Sequence, residues 1–587
     1  MTRRLFALLI CFLLSDWTLA QAQTAHVHVD AGSPLAHVNP WLYGINTARW
    51  DESLFPGPTS DMLVSADRDA IAKIAASGIT LLKYPGGNDA DAYVWNSGAN
   101  NASEMNTDEY IALCRAVGAE PFITVNFNES PELAAAWVRY CNVEKGYNVK
   151  LWEVGDEQWG TWARGHVPPE QYAKKYISFV KAMRAVDPSI KVATNVPLGQ
   201  HPENWAERVT KAATDYIDMI TFTFFPQPSG KENDDTLMTS VGKYRRLYSQ
   251  LRADIERAAG PAKAASILYI NVGYNSVSHS PGPQTIQTIN ALRTADMLGS
   301  MAELKTDIAC FWALHNFYPP RGGDYGYLSS EGPNTPRYSY YVFPLLAGHL
   351  KGDMIQTTSD VPGISTYASK SGKELSIVFI NSNRRSPTNV DVELSGFTPQ
   401  PLAKVRILDE KRLNSEAPDI KALSGKMSLK LAPYSITAVK LLAQDSTVPP
   451  ANLAWLATPS ASSYSTIGPH FGPASAIDGK LYSRWNSAAW TKSNGQEQQW
   501  FQLSWKSPQT IKHVKISWGE TYAVEYKLQS SADGKKWTTI REVTTGTGGV
   551  DECDVTPVKT RYLRVDGKKG TKGISAYSIR EIAVFGE

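Results

Sequence analysis

EPFITVNF (120–127), PELAAAWVRYCN (131–142), VKLWEVGDE (149–157), PEQYAKKYISFVKAMRAVD (169–187) and IKVATNV (190–196) follow one another along one stretch of this chain. The first, third and fifth runs are short and apolar, as strands are. The second and fourth are longer, with apolar residues three and four apart, as on one face of a helix. Strands that alternate with helices make parallel sheets. Outward from this stretch the same alternation continues. WLYGIN (41–46), ITLLKYPGGN (79–88), YIDMITFTFF (216–225), SILYINVGYN (266–275) and DIACFWALHN (307–316) bring the strands to eight. TDEYIALCRAVGAE (107–120) reads as a helix capped by Thr107. Eight such units over about 300 residues predict a (β/α)8 TIM barrel over 23–345. An open doubly wound sheet is the alternative, but no GxGxxG follows the first strand.

The flanks differ. GISTYAS (363–369), ELSIVFIN (374–381), NVDVEL (389–394) and SITAVKLL (435–442) alternate with period two, which predicts a β-sandwich over 346–443. The early strand AHVHVD (25–30) is a candidate to join it. Residues 444–452 are polar and Pro-bearing, a linker. Residues 453–587 are again all-β. Arg3 and Arg4, the apolar run Leu5–Leu14 and Ala20-Gln21-Ala22 mark 1–22 as a signal peptide, so the mature chain is expected to be secreted or periplasmic. No other stretch is apolar enough for a membrane span.

The chain has 587 residues, enough for about three to five domains. A net charge of +2 offers no basic field for nucleic acid. Past Cys11, the cysteines Cys114, Cys141, Cys310 and Cys553 form no CxxC pair, so neither a disulfide framework nor a structural zinc is expected. With 17 Trp and 27 Tyr, the chain has aromatic faces to spare for sugars, although three cores also need them.

Active sites of such barrels lie at the carboxyl ends of the strands. Those ends carry Asn88 and Asp89, Asn126, Asp156 and Glu157, Tyr274, Trp312, and His315 with Asn316. Directional polar groups beside flat apolar rings suit a sugar.

KYPGGN (83–88), TDEYIALCRAVGAEPFITVN (107–126) and KLWEVGDEQWG (150–160) resemble family-51 α-L-arabinofuranosidases, a likeness that extends over roughly 25–443. The resemblance implies that Glu157 is the acid/base and that Asn88 and Asn126 contact the sugar, with Lys83 in place of a usual Arg. Two positions depart from the family. Asp156 replaces an Asn. VGYNSV (272–277) places Gly273 where the family carries its nucleophilic Glu. Glycine cannot form a glycosyl ester, so the ordinary two-carboxylate retaining mechanism fails.

Three readings follow. One is a glycan-binding relative without catalysis. A second is an arabinofuranosidase-like enzyme that inverts, with Asp89, Asp91, Glu129 or Asp324 as base. The third accounts for both departures: a retaining, substrate-assisted N-acetylhexosaminidase, in which the 2-acetamido oxygen of a sugar such as GalNAc or GlcNAc is the nucleophile. An adjacent Asp-Glu pair resembles that of such enzymes; Asp156 would polarise the acetamido group and Glu157 protonate the leaving oxygen. Tyr274 is a candidate donor to the acetamido oxygen and Trp312 a wall for its methyl. No cofactor is expected for catalysis.

NLAWLATPSASS (452–463), ASAIDGKLYSRWNS (474–487) and SSADGKKWTTI (530–540) resemble discoidin, or F5/8 type C, modules of the family-32 carbohydrate-binding group. The resemblance implies a β-sandwich of jelly-roll form and a structural calcium near Asp478, Ser483 and Glu581. Trp490, Tyr522 and Tyr577 are candidates for a sugar platform.

Overall fold

The computed structural model describes residues 24–51, 65–96, 104–199, 203–315, 322–329, 334–446, 452–466, 471–478, 483–489, 498–519, 521–570 and 576–586. Residues 1–22, expected to be a signal peptide, and part of the expected linker lie outside them.

The eight expected barrel strands form and close on one another. After β1 (Thr24–His37) come β2 (Gly44–Asn46), β3 (Leu81–Tyr84), β4 (Glu120–Val125), β5 (Leu151–Val154), β6 (Lys191–Asn195), β7 (Met219–Phe224), β8 (Leu268–Tyr274) and β9 (Ile308–Phe311). Strands β2 to β9 run parallel in sequence order as a closed barrel. Leu81, Phe122, Leu151, Met219, Ile270 and Ile308 plug its interior. Two residues on, four of these six strands turn polar: Lys83, Thr124, Glu153 and Thr221, all buried, belong to the next layer toward the strand ends, with Val272 and Cys310 on the other two.

The outer helices include α1 (Ser65–Ala76), α2 (Thr107–Val117), α3 (Pro131–Val138), α4 (Pro169–Val186), α5 (Trp205–Ala213), α6 (Asp234–Ala259), α7 (Pro261–Ser266), α8 (Thr288–Glu303) and α9 (Tyr338–Ala347). The cap of α2 is Asn106, one residue before the expected Thr107. Its side chain accepts from the Glu109 amide at 3.1 Å while the Glu109 carboxylate takes the Asn106 amide at 2.8 Å, a closed capping box.

A nine-stranded sheet packs around its own apolar core, and β1 is an interior strand of it. There β1 pairs antiparallel with β10 (Asp353–Ser359) and parallel with β11 (Thr388–Ser395). The C-terminal module has a separate core built on Trp485, Phe501, Trp505 and Trp518. Its strands include β12 (Gln499–Trp518), β13 (Val550–Gly570) and β14 (Ser578–Phe585), with β12 paired antiparallel to both of the others.

Candidate active site

Strand β5 ends in a kink that presents two carboxylates. Gly155 is left-handed, with φ 70°, and a Cβ there would come within 2.9 Å of the Phe127 Cβ. Glu157 is also left-handed, with φ 53°, a conformation a non-glycine residue holds only when its surroundings impose it. Here two buried side chains do so. Asp91 accepts the Asp156 amide at 2.9 Å and the Gln158 side chain at 2.7 Å. Asn195, at the end of β6, accepts the Gln158 amide at 2.8 Å.

Glu157 faces a cleft of about 920 Å³ at the carboxyl ends of the strands. Thr223 donates its hydroxyl to one carboxylate oxygen; the other takes the Trp162 indole N–H at 2.9 Å and the Asn88 amide at 3.5 Å. Burial pushes Glu157 above the usual carboxylate range, and the charge of Asp156 pushes the same way. That suits a group that must hold a proton near neutrality.

Asp156 is engaged through both oxygens. Lys83 reaches Oδ1 at 3.2 Å and Asn88 donates to Oδ2 at 2.7 Å. Lys83 also pairs with Glu153 at 3.0 Å. Burial alone would lower the Lys83 pKa, but the charges of Glu153 and Asp156 more than reverse this, so the ammonium stays charged. Lys83 is only 1% exposed and lies one layer beneath the cleft. It supports Asp156 from beneath and is not among the residues that line the cleft, which corrects its assignment as a sugar-binding residue.

Other assignments also move. Asn88, Asp89 and Trp312 line the cleft. Asn126 does not: it donates to the Tyr93 carbonyl at 3.2 Å and accepts the Asn128 amide at 2.8 Å, bracing the loop after β4. Tyr274 points away from the cleft into the wall between barrel and helices, edge-on to Phe311, so it is not placed to donate to an acetamido oxygen. His315 is buried between Asp51 at 3.1 Å and Asn334 at 2.8 Å. Asn316 lies outside the described residues. Of the candidate bases, Asp91 is the buried clamp, Glu129 is exposed on its loop, and Asp324 pairs with Arg337. Among the described residues the carboxylates that line the cleft are Asp89, Asp156 and Glu157.

On β8 the cleft wall includes Gly273. A Cβ there would meet Thr223 Cγ2 at 3.3 Å and Phe225 Cζ at 3.4 Å. Trp50, Trp159, Trp162 and Phe225 line the cleft and were not singled out from the sequence. WGTW (159–162), two indoles directly after the acidic pair, was the available signal.

In the module, Trp490 lies outside the described residues. Tyr577 is 1% exposed and packs over Gly567, where a Cβ would come within 2.4 Å of its ring, so it is core and not platform. Tyr522 is half-buried against the same core. Ser483 donates to Asp478 at 2.8 Å, a hard-oxygen pair of the kind calcium takes. Glu581 instead receives the Trp455 indole at 3.4 Å. Among the described residues no group of three His, Cys, Asp or Glu could hold a metal ion. Cys114, Cys141, Cys310 and Cys553 are buried free thiols. No described helix is long and apolar enough to cross a membrane.

The F5/8 type C domain profile matches residues 459–582. A probable α-L-arabinofuranosidase C of Aspergillus fumigatus is 27% identical over 212 residues, 30% of this chain and 42% of that protein. The chain thus spans less than half the length of that relative. An intracellular exo-α-(1→5)-L-arabinofuranosidase of Streptomyces lividans is 21% identical over 449 residues, 64% of this chain and 67% of the relative. The solved family-51 α-L-arabinofuranosidase of Thermotoga petrophila superposes with a TM-score of 0.61 at 19% identity, covering 71% of this chain and all of that one. The chain therefore has the fold of the family-51 arabinofuranosidases, a closed barrel and β-sandwich, followed by an F5/8 type C domain.

Proposed function

We propose that this chain is a glycoside hydrolase with Glu157 as its acid/base, and that it cleaves without an enzyme nucleophile on β8. One observation carries the reading: Asp156 and Glu157 stand together at the end of β5 on a cleft whose β8 wall is Gly273. The arabinofuranosidase relatives and the shared fold support the broad class. The finer reading, a 2-acetamido sugar, rests on the residues alone. In it the substrate's acetamido oxygen attacks C1 while Glu157 protonates the leaving oxygen. Asp156 accepts the acetamido N–H as positive charge spreads over the cyclised ring. Glu157, now ionised, takes a proton from water, which attacks C1 and reopens the ring with net retention. A thiazoline mimic of the cyclised sugar is expected to compete with substrate, and Glu157→Gln to lower turnover by about 10²–10⁴-fold. Indifference to the thiazoline would sink substrate assistance.

A second reading is an inverting arabinofuranosidase-like activity. The relatives' names favour it, and Asp89 supplies a further carboxylate in the cleft. It requires about 6.5–9.5 Å between acid and base.

We place the working protein outside the cytoplasm, on the strength of residues 1–22. The C-terminal module is read as a glycan tether that raises the local substrate concentration. Calcium at Asp478 and Ser483 would stabilise it, seen as a thermal midpoint that falls with chelator and returns with calcium.

A further inference from the structure

Behind the β8 wall of the cleft lies a guanidinium to which no described residue offers a hydrogen-bond acceptor. Arg293, on α8, is fully buried, and its Nε, Nη1 and Nη2 have no hydrogen-bond partner among the described residues. Two rings face it: the guanidinium carbon is 5.7 Å from the Phe224 ring centre and 5.8 Å from that of Tyr274. The Tyr274 hydroxyl is buried and equally unpartnered. Asp296, one turn along the helix, is committed to the Tyr367 hydroxyl at 2.6 Å and attracts Arg293 only through space. Burial draws the Arg293 pKa down to about 10, which still leaves the group charged at neutral pH.

A buried charge and five empty N–H donors are among the most unfavourable features a core can hold. Ring faces attract the cation but accept no conventional hydrogen bond from it. Water would fill the donors but bring no countercharge of its own, and Asp296 offers the guanidinium no hydrogen bond. A small monovalent anion does both, and the Tyr274 hydroxyl adds a neutral donor beside the guanidinium. We propose that Arg293 and Tyr274 form a buried site for a small inorganic anion of the chloride type, closed by β7, β8 and α8. The anion would brace the strand that carries Gly273, and it offers a use for the tyrosine that the cleft does not employ.

The test is bromide substituted for chloride in crystals of the full chain, read by anomalous scattering. An anomalous peak against the Arg293 guanidinium and the Tyr274 hydroxyl is expected; its absence overturns the proposal, whatever else is seen. In solution, at constant pH and ionic strength, chloride replacing gluconate is expected to raise the thermal midpoint saturably by about 2–4 °C. That response should vanish in Arg293→Met and weaken in Tyr274→Phe, which covers the case in which the arginine variant fails to fold. Equal midpoints in chloride, bromide and gluconate for the unmodified chain would count against the site.

Discussion

Asp156 gives one oxygen to Lys83 and the other to Asn88, yet each carboxylate oxygen keeps a second lone pair for a substrate N–H. Its charge is also one of the two forces that raise Glu157. Turnover needs Glu157 protonated, so activity is lost as pH rises through that raised pKa. Asp156→Asn removes the like charge and is expected to move the basic limb of kcat/KM to lower pH; an unmoved limb would count against the coupling. Asp91 gives a second pH signature. Burial pushes it up to about 7 against the hydrogen bonds it accepts. Between the unfolded value near 3.9 and about 7, the native chain holds a proton that the unfolded chain has lost. Stability from this group is therefore full below that window and declines as pH rises through it. The thermal midpoint of Asp91→Asn should fall less from pH 5 to about 7.5 than that of the unmodified chain.

The elements explain why some site residues were legible and others were not. Glu157 and Asp156 could be read because they follow directly on a strand whose apolar run ends at Val154. Tyr274 was misread because β8 is irregular. Its register against β7 skips from Asn271 to Gly273, and against β9 from Asn271 to Tyr274. Val272 and Gly273 therefore both reach the barrel interior or its cleft, and Tyr274 turns outward. A bulge of this kind has no signature in VGYNSV. Lys83 and Asn126 stand on or just after strands that were found, but strand membership alone did not say which layer or loop each would serve. Gly273 has no left-handed φ, so a side chain there meets packing and not backbone strain. Gly273→Glu must displace Thr223 and Phe225 by a few tenths of an ångström and fills the space assigned to the acetamido group. The expected result is a folded protein that loses turnover of 2-acetamido glycosides; unchanged turnover would argue that this wall is not part of the sugar site.

The whole molecule joins parts with different claims on the sequence. The barrel was legible because eight strands and their helices alternate with two clear periods. The module was legible through landmarks such as ASAIDGKLYSRWNS, whose Trp485 is core. The ligand platform was not, because Tyr577 fills the module's interior in a way that aromatic counting cannot reveal. As a tether the module should matter only on polymers. Its removal is expected to leave aryl-glycoside turnover unchanged and to lower the rate on a polymeric glycan at low substrate concentration.

The central claim is that Glu157 works with the substrate's own acetamido group in place of a β8 carboxylate. A panel of aryl glycosides, assayed with the full chain and with Glu157→Gln as control, tests it most directly. The expected result is release of the aryl group from an N-acetylgalactosaminide or N-acetylglucosaminide, abolished in the control, with the arabinofuranoside left intact. Release from the arabinofuranoside alone, or from none of the sugars, would contradict it.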